Sequence, residues 1–253
     1  MADQNIYETD ASTAQYLHFH YGIGQGGPDG AADKALGFLA DDAPLDFPRQ
    51  TVLRLVDVKE SDGATALDLG CAVGRSAFEL STHAASVVAI DLSKAFIDLA
   101  QQIADGRGAK YQLSHDGGSV TTHSVSYPVG SNPDRIEFRC GDAASPEVSG
   151  EQYDIVHASN LLCRLPDPGS FLDSLQGLVR PMGQLALATP SSWLPSFTPK
   201  ENWPNVPILD YLVDRLDPHF ELIRSEDIPF VIREHDRKFQ LGISLGTAWR
   251  RRS

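Results

Sequence analysis

Residues 64–74 read ATALDLGCAVG, an apolar run that ends in an acid and then in two glycines separated by three residues. Ala66, Leu67 and Leu69 suit a buried strand, and Asp68 near its carboxyl end puts a carboxylate where open α/β sheets bind ligands. Gly70 and Gly74 let the backbone turn sharply and approach a ligand before a helix opens through Arg75, Ala77, Phe78 and Leu80. A second strand over residues 86–90 ends in Asp91, about twenty residues beyond the loop, where nucleotide-binding βαβ units hold ribose hydroxyls with an acid. Strand, glycine turn, helix and strand in this order predict an α/β fold around a mostly parallel sheet.

The spacing fits a dinucleotide, another adenosine-bearing cofactor, or a structural turn with no ligand. A dinucleotide loop reads GxGxxG, whereas Cys71 and Ala72 follow Gly70 here. A carboxylate at Asp68 also repels a pyrophosphate and suits a cation. The pattern DLGCAVG resembles the first motif of class I S-adenosylmethionine methyltransferases, whose cofactor carries a sulfonium and an amino group. That resemblance implies a Rossmann-like core binding S-adenosyl-L-methionine. The loop residues Asp68, Gly70, Cys71, Ala72, Gly74 and Arg75 are its expected contacts, with Asp68 near the cofactor's amino group and Arg75 at its carboxylate. Asp91, Leu92 and Phe96 are expected to follow on the adenosine side.

The chain has 253 residues, enough for one α/β domain with a full core. It is read as a single methyltransferase domain over 1–253, with an N-terminal helical or lid region over 1–60 and the core over 61–253. Its 21 basic and 34 acidic side chains give a net charge of −13, which repels nucleic acid and anionic membranes and points to a small-molecule substrate. Three cysteines without CxxC spacing argue against a disulfide framework and a zinc site, so no metal is expected. The opening MADQNIYETD is not signal-like and no apolar run approaches eighteen residues, so a cytoplasmic protein is expected. Nothing in the sequence speaks to oligomeric state.

Along the chain, residues 6–21 form a short helix capped at Thr9 or Asp10 and ended by Gly22. The glycine-rich stretch 22–30 reads as a lid or a plain connection, and a second helix is expected over 47–58. After Asp91, Ser93 caps a helix with Phe96, Leu99, Ala100 and Ile103 inward. Residues 111–127 are rich in Ser, Thr, Val and Tyr around Gly117-Gly118, which predicts an inserted, peripheral β-hairpin at about 110–130. The strand over 135–139 leads into CGDA, residues 140–143; an acid at this place commonly meets the adenine amino group in such methyltransferases, so Asp142 and Ala143 are adenine candidates. The strand YDIVHA, residues 153–158, brings Ser159 and Asn160 to the same edge. A helix over 169–179 is stopped by Pro181-Met182-Gly183, and a strand over 184–189 runs into TPSSWLPSFTP, a rigid loop holding Trp193 and Phe197 as a pocket wall. A helix over 208–216 and two runs, 220–224 and 239–247, close a seven-stranded sheet as an antiparallel edge pair.

A wider set of motifs is more specific. YETD (7–10), FHYG (19–22), LDLGCAVGRSAFEL (67–80), CGDA (140–143), ASNLL (158–162), FTP (197–199) and EHDRKFQLG (234–242) together resemble the methyltransferase of ovothiol biosynthesis. That enzyme transfers a methyl group to a ring nitrogen of 5-thiohistidine, and occurs fused to a sulfoxide synthase or as a separate chain; this chain resembles the separate form. The family reads close to NLIDRL where Asn160-Leu161-Leu162-Cys163-Arg164-Leu165 stand here. If that position touches substrate, Cys163 points to an altered acceptor such as the selenium analogue of ovoselenol biosynthesis.

The resemblance implies that Asn160 hydrogen-bonds the acceptor ring and that Tyr7, His20 or Tyr21 orients it or accepts its proton. Trp193 and Phe197 are expected to wall the substrate, and Arg164 or Arg233 to hold its α-carboxylate. The rivals are a class I methyltransferase of another small nucleophile, a non-catalytic S-adenosylmethionine-binding protein and, last, a dinucleotide-dependent oxidoreductase.

Overall fold

The computed structural model describes residues 6–22, 46–146, 148, 150–235 and 238–253. The expected lid falls, from residue 23 onward, outside the described residues. Helix α1 (Asp10–Tyr21) starts at Thr9, whose hydroxyl accepts from the Ser12 amide at 3.2 Å. Helix α2 (Phe47–Leu55) is shorter than expected, giving way to a 3-10 turn over Val58–Glu60. Then follow β1 (Thr65–Leu69), α3 (Arg75–Leu80), β2 (Ser86–Asp91) and α4 (Lys94–Ala104). The hairpin β3 (Ala109–Ser114) and β4 (Val120–Val125) precedes β5 (Ile136–Cys140), β6 (Tyr153–Ser159), α5 (Pro168–Leu178) and β7 (Val179–Thr189). The described chain closes with α6 (Ile208–Leu216), β8 (Phe220–His235) and β9 (Lys238–Arg251).

Seven strands pair in the order β5-β2-β1-β6-β7-β9-β8. Those from β5 to β7 are parallel, and β9 is antiparallel to both its neighbours. The period of two in β1 sends Leu67 and Leu69 into a core with Phe171, Leu172 and Leu175, and Ala66 into one with Phe47, Val52 and Leu55. Asp68 shares the Ala66 face and stands directly across from His157 on β6. Among the described residues no helix is long and apolar enough to cross a membrane.

Three expectations are corrected. The hairpin is a separate two-stranded sheet, but it is not peripheral. Tyr111, Leu113 and Val125 are buried with Leu17, Phe96 and Ile103, and Tyr111 Oη lies 3.0 Å from His18 Nδ1. Strands β8 and β9 run well beyond the short alternating segments, because Ile228, Phe230 and Ile232 pack back onto the α2 face. The helix expected to stop at residue 181 ends at Leu178, where β7 already begins.

Gly74 carries φ 86° and a Cβ there would stand 2.9 Å from the Phe138 ring, whereas Gly63 has φ 77° and open space. Left-handed backbone costs an L-residue roughly 1–2 kcal/mol. Gly74→Ala is expected to lower the melting temperature by roughly 4–12 °C, and Gly63→Ala, which carries the backbone cost alone, by about 2–8 °C. Thermal unfolding of the two variants checks this; equal losses would show that the Phe138 contact is not felt.

Candidate functional site

At the carboxyl ends of β1 and β6, where the strand order reverses, the sheet opens into a cavity of about 700 Å³. The β1 turn forms its floor. The Gly70 and Cys71 amides donate to Ile90 O at 2.8 and 3.1 Å, and Gly70 (φ 73°) leaves so little room that a Cβ would meet Leu161 at 3.0 Å. Ala72 holds φ 47° and its amide donates to Asp91 Oδ2 at 2.9 Å, while Asp91 Oδ1 accepts from the Ser93 amide at 2.9 Å. Burial raises the pKa of Asp91 and these two N–H groups pull it back. Each carboxylate oxygen keeps a further lone pair for a ligand hydroxyl.

Asp142 and Ala143 line the cavity with Leu92 and Phe96; the Asp142 carboxylate accepts from the Ala144 amide at 2.8 Å. Ser159 also lines it and leaves a buried Oγ with no partner. A loop glycine with no space for a side chain, an acid at the end of β2 and an orphaned hydroxyl make a donor and acceptor set that fits an adenosine-bearing cofactor.

The other half of the cavity is aromatic. Tyr7 stacks on Phe197 at 6.0 Å between centroids and meets Tyr16 and Phe96 at 5.8 Å, and Tyr16 lies 4.7 Å from Phe96. Arg164 lies 5.3 Å over Phe197 and is pinned by donating to Ser192 O at 2.8 Å. Asn160 holds φ 56°, its amide donates to Ala188 O at 2.8 Å and its Oδ1 accepts from Ser244 Oγ at 2.8 Å. His20 is buried, with Nδ1 lacking a partner, and burial followed by the nearby Arg75 lowers its pKa to about 3. It is therefore neutral near pH 7.

Of the expected residues, Tyr7, His20, Asn160, Arg164 and Phe197 share this wall, and Gly70, Ala72, Asp91, Leu92, Phe96, Asp142, Ala143 and Ser159 share the cofactor side. Seven others are placed elsewhere, and the reasons are local. Asp68 is turned from the cavity, accepting from Ser76 Oγ at 2.6 Å and lying 2.7 Å from His157 Nδ1. Arg75 is buried between Asp46 and Glu79 at 3.2 and 3.3 Å, so its charge is already matched. Tyr21 donates to Val73 O at 2.7 Å, because it points a quarter turn away from His20 on α1. Cys71 packs into the α2-side core and Gly74 under Phe138. Trp193 packs against the α5-side core, and Arg233 lies buried where its charge acts on His18, Tyr111 and His123.

The sequence reading missed Tyr16, Ser76 and His157. Tyr16 stands one helical turn before His20, the spacing that puts both on one face, and burial pushes its hydroxyl well above the ordinary range, with Tyr7 adding and Arg164 opposing. His157 was visible as a polar residue inside the apolar run YDIVHA.

Three comparisons place the chain. A family described as a methyltransferase domain matches residues 42–234. A ubiquinone biosynthesis O-methyltransferase of Coxiella burnetii (strain Dugway 5J108-111) is 26% identical over 127 residues, 50% of this chain and 44% of that protein. The chain thus spans less than half the length of the curated relatives it matches. Among solved structures, the N-methyltransferase NodS from Bradyrhizobium japonicum WM9 in complex with S-adenosyl-L-homocysteine superposes with a TM-score of 0.55 at 16% identity, covering 95% of this chain and 99% of that one. Magnesium protoporphyrin IX methyltransferase from Synechocystis PCC 6803, with S-adenosylmethionine bound, gives 0.52 at 18% identity, covering 99% and 100%. The fold is that of S-adenosylmethionine-dependent methyltransferases.

The unfolded chain protonates His20 near its ordinary 6.5, while the fold resists protonation until about pH 3. Stability therefore falls as pH drops through that window, by about 2 kcal/mol at pH 5 from this residue. Denaturant titrations at pH 7 and pH 5 are expected to show a difference smaller by about that amount in His20→Gln; an unchanged difference would mean that His20 takes up its proton in the fold.

Proposed function

This chain belongs to the methyltransferase domain family, and from that premise we propose that it methylates a ring nitrogen of a small imidazole, 5-thiohistidine or its selenium counterpart, with S-adenosylmethionine as donor. The observation that carries the reading is the aromatic slot of Tyr7, Tyr16, Phe96 and Phe197, with its polar groups at the edges: a neutral His20, the Asn160 amide and one guanidinium. Four motifs behind the ovothiol-type resemblance supply residues to this wall, Tyr7 from YETD, His20 from FHYG, Asn160 from ASNLL and Phe197 from FTP, which supports it further. The proposal takes the chain as one methyltransferase domain.

S-adenosylmethionine supplies, when bound, an electrophilic methyl group on a sulfonium. Gly70, Ala72, Asp91, Asp142 and Ser159 would hold it, and the task left to this chain is alignment, where proximity is worth up to roughly 7–11 kcal/mol. Planar aromatic faces fix the plane of an imidazole. Asn160 Oδ1 is occupied by Ser244, so its amide N–H groups are the ones turned to the ring. His20, neutral and poor in affinity for protons, accepts the ring N–H without removing it and so leaves the other nitrogen's lone pair free. Arg164 meets the α-carboxylate. Cys163 is buried with Sγ 3.2 Å from Arg164 and is off the cavity wall, so its influence on the acceptor passes through that guanidinium.

A phenolic or other hydroxyl acceptor is the second reading. It is favoured by the O-methyltransferase relative and by the apolar lining that Phe230, Ile232, Leu241 and Ile243 give part of the cavity.

Mass spectrometry of reactions with S-adenosylmethionine and thiohistidine, selenohistidine, histidine or a phenol panel tests both. One methyl gained on the chalcogen-bearing histidines and none on histidine is expected. Methylation of phenols alone would transfer the assignment to oxygen, and cofactor binding without any turnover would make the chain a non-catalytic binder. Asn160→Gly, which keeps the left-handed backbone, is expected to lower kcat at saturating acceptor by roughly tenfold or more; an unchanged kcat would remove Asn160 from the reaction.

A further inference from the structure

Beneath the β1 turn lies a buried chain of hydrogen bonds that starts and ends on the cavity wall. Ser76 lines the cavity and its hydroxyl donates to Asp68 Oδ2 at 2.6 Å. Asp68 Oδ1 meets His157 Nδ1 at 2.7 Å, and His157 Nε2 meets Thr51 Oγ1 at 3.0 Å. The Thr51 hydroxyl donates to Pro48 O at 2.9 Å, and Pro48 is again a wall residue. All four side chains are buried. The register makes this possible, since Asp68 and His157 are direct neighbours on parallel strands and both face α2.

The direction of the Ser76 end is fixed by its hydroxyl. Thr51 Oγ1 stands within hydrogen-bond distance of both Pro48 O and His157 Nε2, so it holds the imidazole in place. Ser76 gives its only proton to Asp68. With its proton committed inward, Ser76 Oγ offers the cavity lone pairs alone.

We propose that His157 and Thr51 are positioning residues that, through Asp68, fix Ser76 Oγ as an acceptor for an N–H donor of the bound ligand. The ligand group of that chemistry is the amino group on the amino-acid end of S-adenosylmethionine. The inference rests on the methyltransferase reading of the cavity, and it changes the place of Asp68 from a ligand contact to a buried link behind one. A carboxylate held in this way imposes direction on Ser76 without presenting its own charge to the cavity.

The test compares two ligands by calorimetry: S-adenosyl-L-homocysteine, which has the amino-acid end, and 5′-methylthioadenosine, which lacks it. Ser76→Ala, Thr51→Val and His157→Phe are each expected to weaken S-adenosylhomocysteine by roughly 3- to 10-fold and to leave methylthioadenosine within about twofold. His157→Asn, whose amide still donates to Asp68, is expected to recover most of the loss. Because the residues act in series, Ser76→Ala combined with Thr51→Val is expected to be no worse than Ser76→Ala alone.

Equal losses for both ligands would reduce the chain to a structural role, and additive losses or none would overturn it. Thr51→Val, nearly isosteric, carries the test if a His157 variant does not fold. Failure of the unsubstituted protein to bind S-adenosylhomocysteine would overturn the cofactor reading itself, a result distinct from any variant's.

Discussion

The bond from the Ala72 amide to the Asp91 carboxylate, 2.9 Å long, ties the end of β1 to the end of β2 and gives the cavity its floor. It works only because Ala72 accepts a left-handed backbone and because Gly70 and Gly74 on either side do the same. A single non-glycine residue in that region costs roughly 1–2 kcal/mol, and Asn160 and Ser191 repeat the arrangement where β6 and β7 leave the sheet. Of the four described non-glycine residues with positive φ, three, Ala72, Asn160 and Ser191, thus stand along one edge on segments around the same cavity, and the fourth, Met182, lies near the start of β7. Strain that the packing enforces at a ligand edge is a form of preorganisation.

The charges around the cavity follow one pattern, in which what is buried is matched and what is left is directional. Arg75 and Arg49 together match Asp46 and Glu79 beneath α3, and Asp68 is enclosed by its contacts with Ser76 and His157. Asp91 is satisfied by two amides, and Arg164 is the guanidinium on the cavity wall. A buried unpaired charge is far costlier than a buried neutral donor or acceptor, so a slot of this kind selects for shape and hydrogen-bond direction. His20, kept neutral by burial, belongs to the same logic.

Much of this was legible in the sequence, and the reason is periodicity. Gly70, Gly74 and Asp91 stand at fixed offsets from a strand whose apolar residues announce it, and Asp142 and Asn160 follow strands just as plain. What sequence spacing does not carry is the direction of a side chain after the turn. Arg75 follows the loop at the place suited to a ligand carboxylate, yet the acids Asp46 and Glu79, one of them 29 residues earlier, claim it. Tyr21 and Tyr16 are equally aromatic on one helix, and only docking of that helix on Phe96 turns Tyr16 to the cavity. The lengths of β8 and β9 were hidden because β7 pairs with β9 only over residues 245–250, and beyond that the two strands pair with each other alone, where the burial of β9 does not alternate strictly.

Asp68 illustrates how a motif residue can keep its position and change its contact. In a strand every second side chain faces one side, and Asp68 shares its side with Ala66, so a helix packed on that face decides what the carboxylate meets. Here α2 brings Thr51, β6 brings His157 and α3 brings Ser76, which leaves no oxygen of the carboxylate facing solvent. An acid so enclosed contributes to a ligand only through the group it orients. The end of β1 is then best regarded as two layers: a backbone layer of Gly70 and Ala72 that touches the cavity, and beneath it a polar layer that reaches the cavity through the Ser76 hydroxyl at one end and Pro48 at the other.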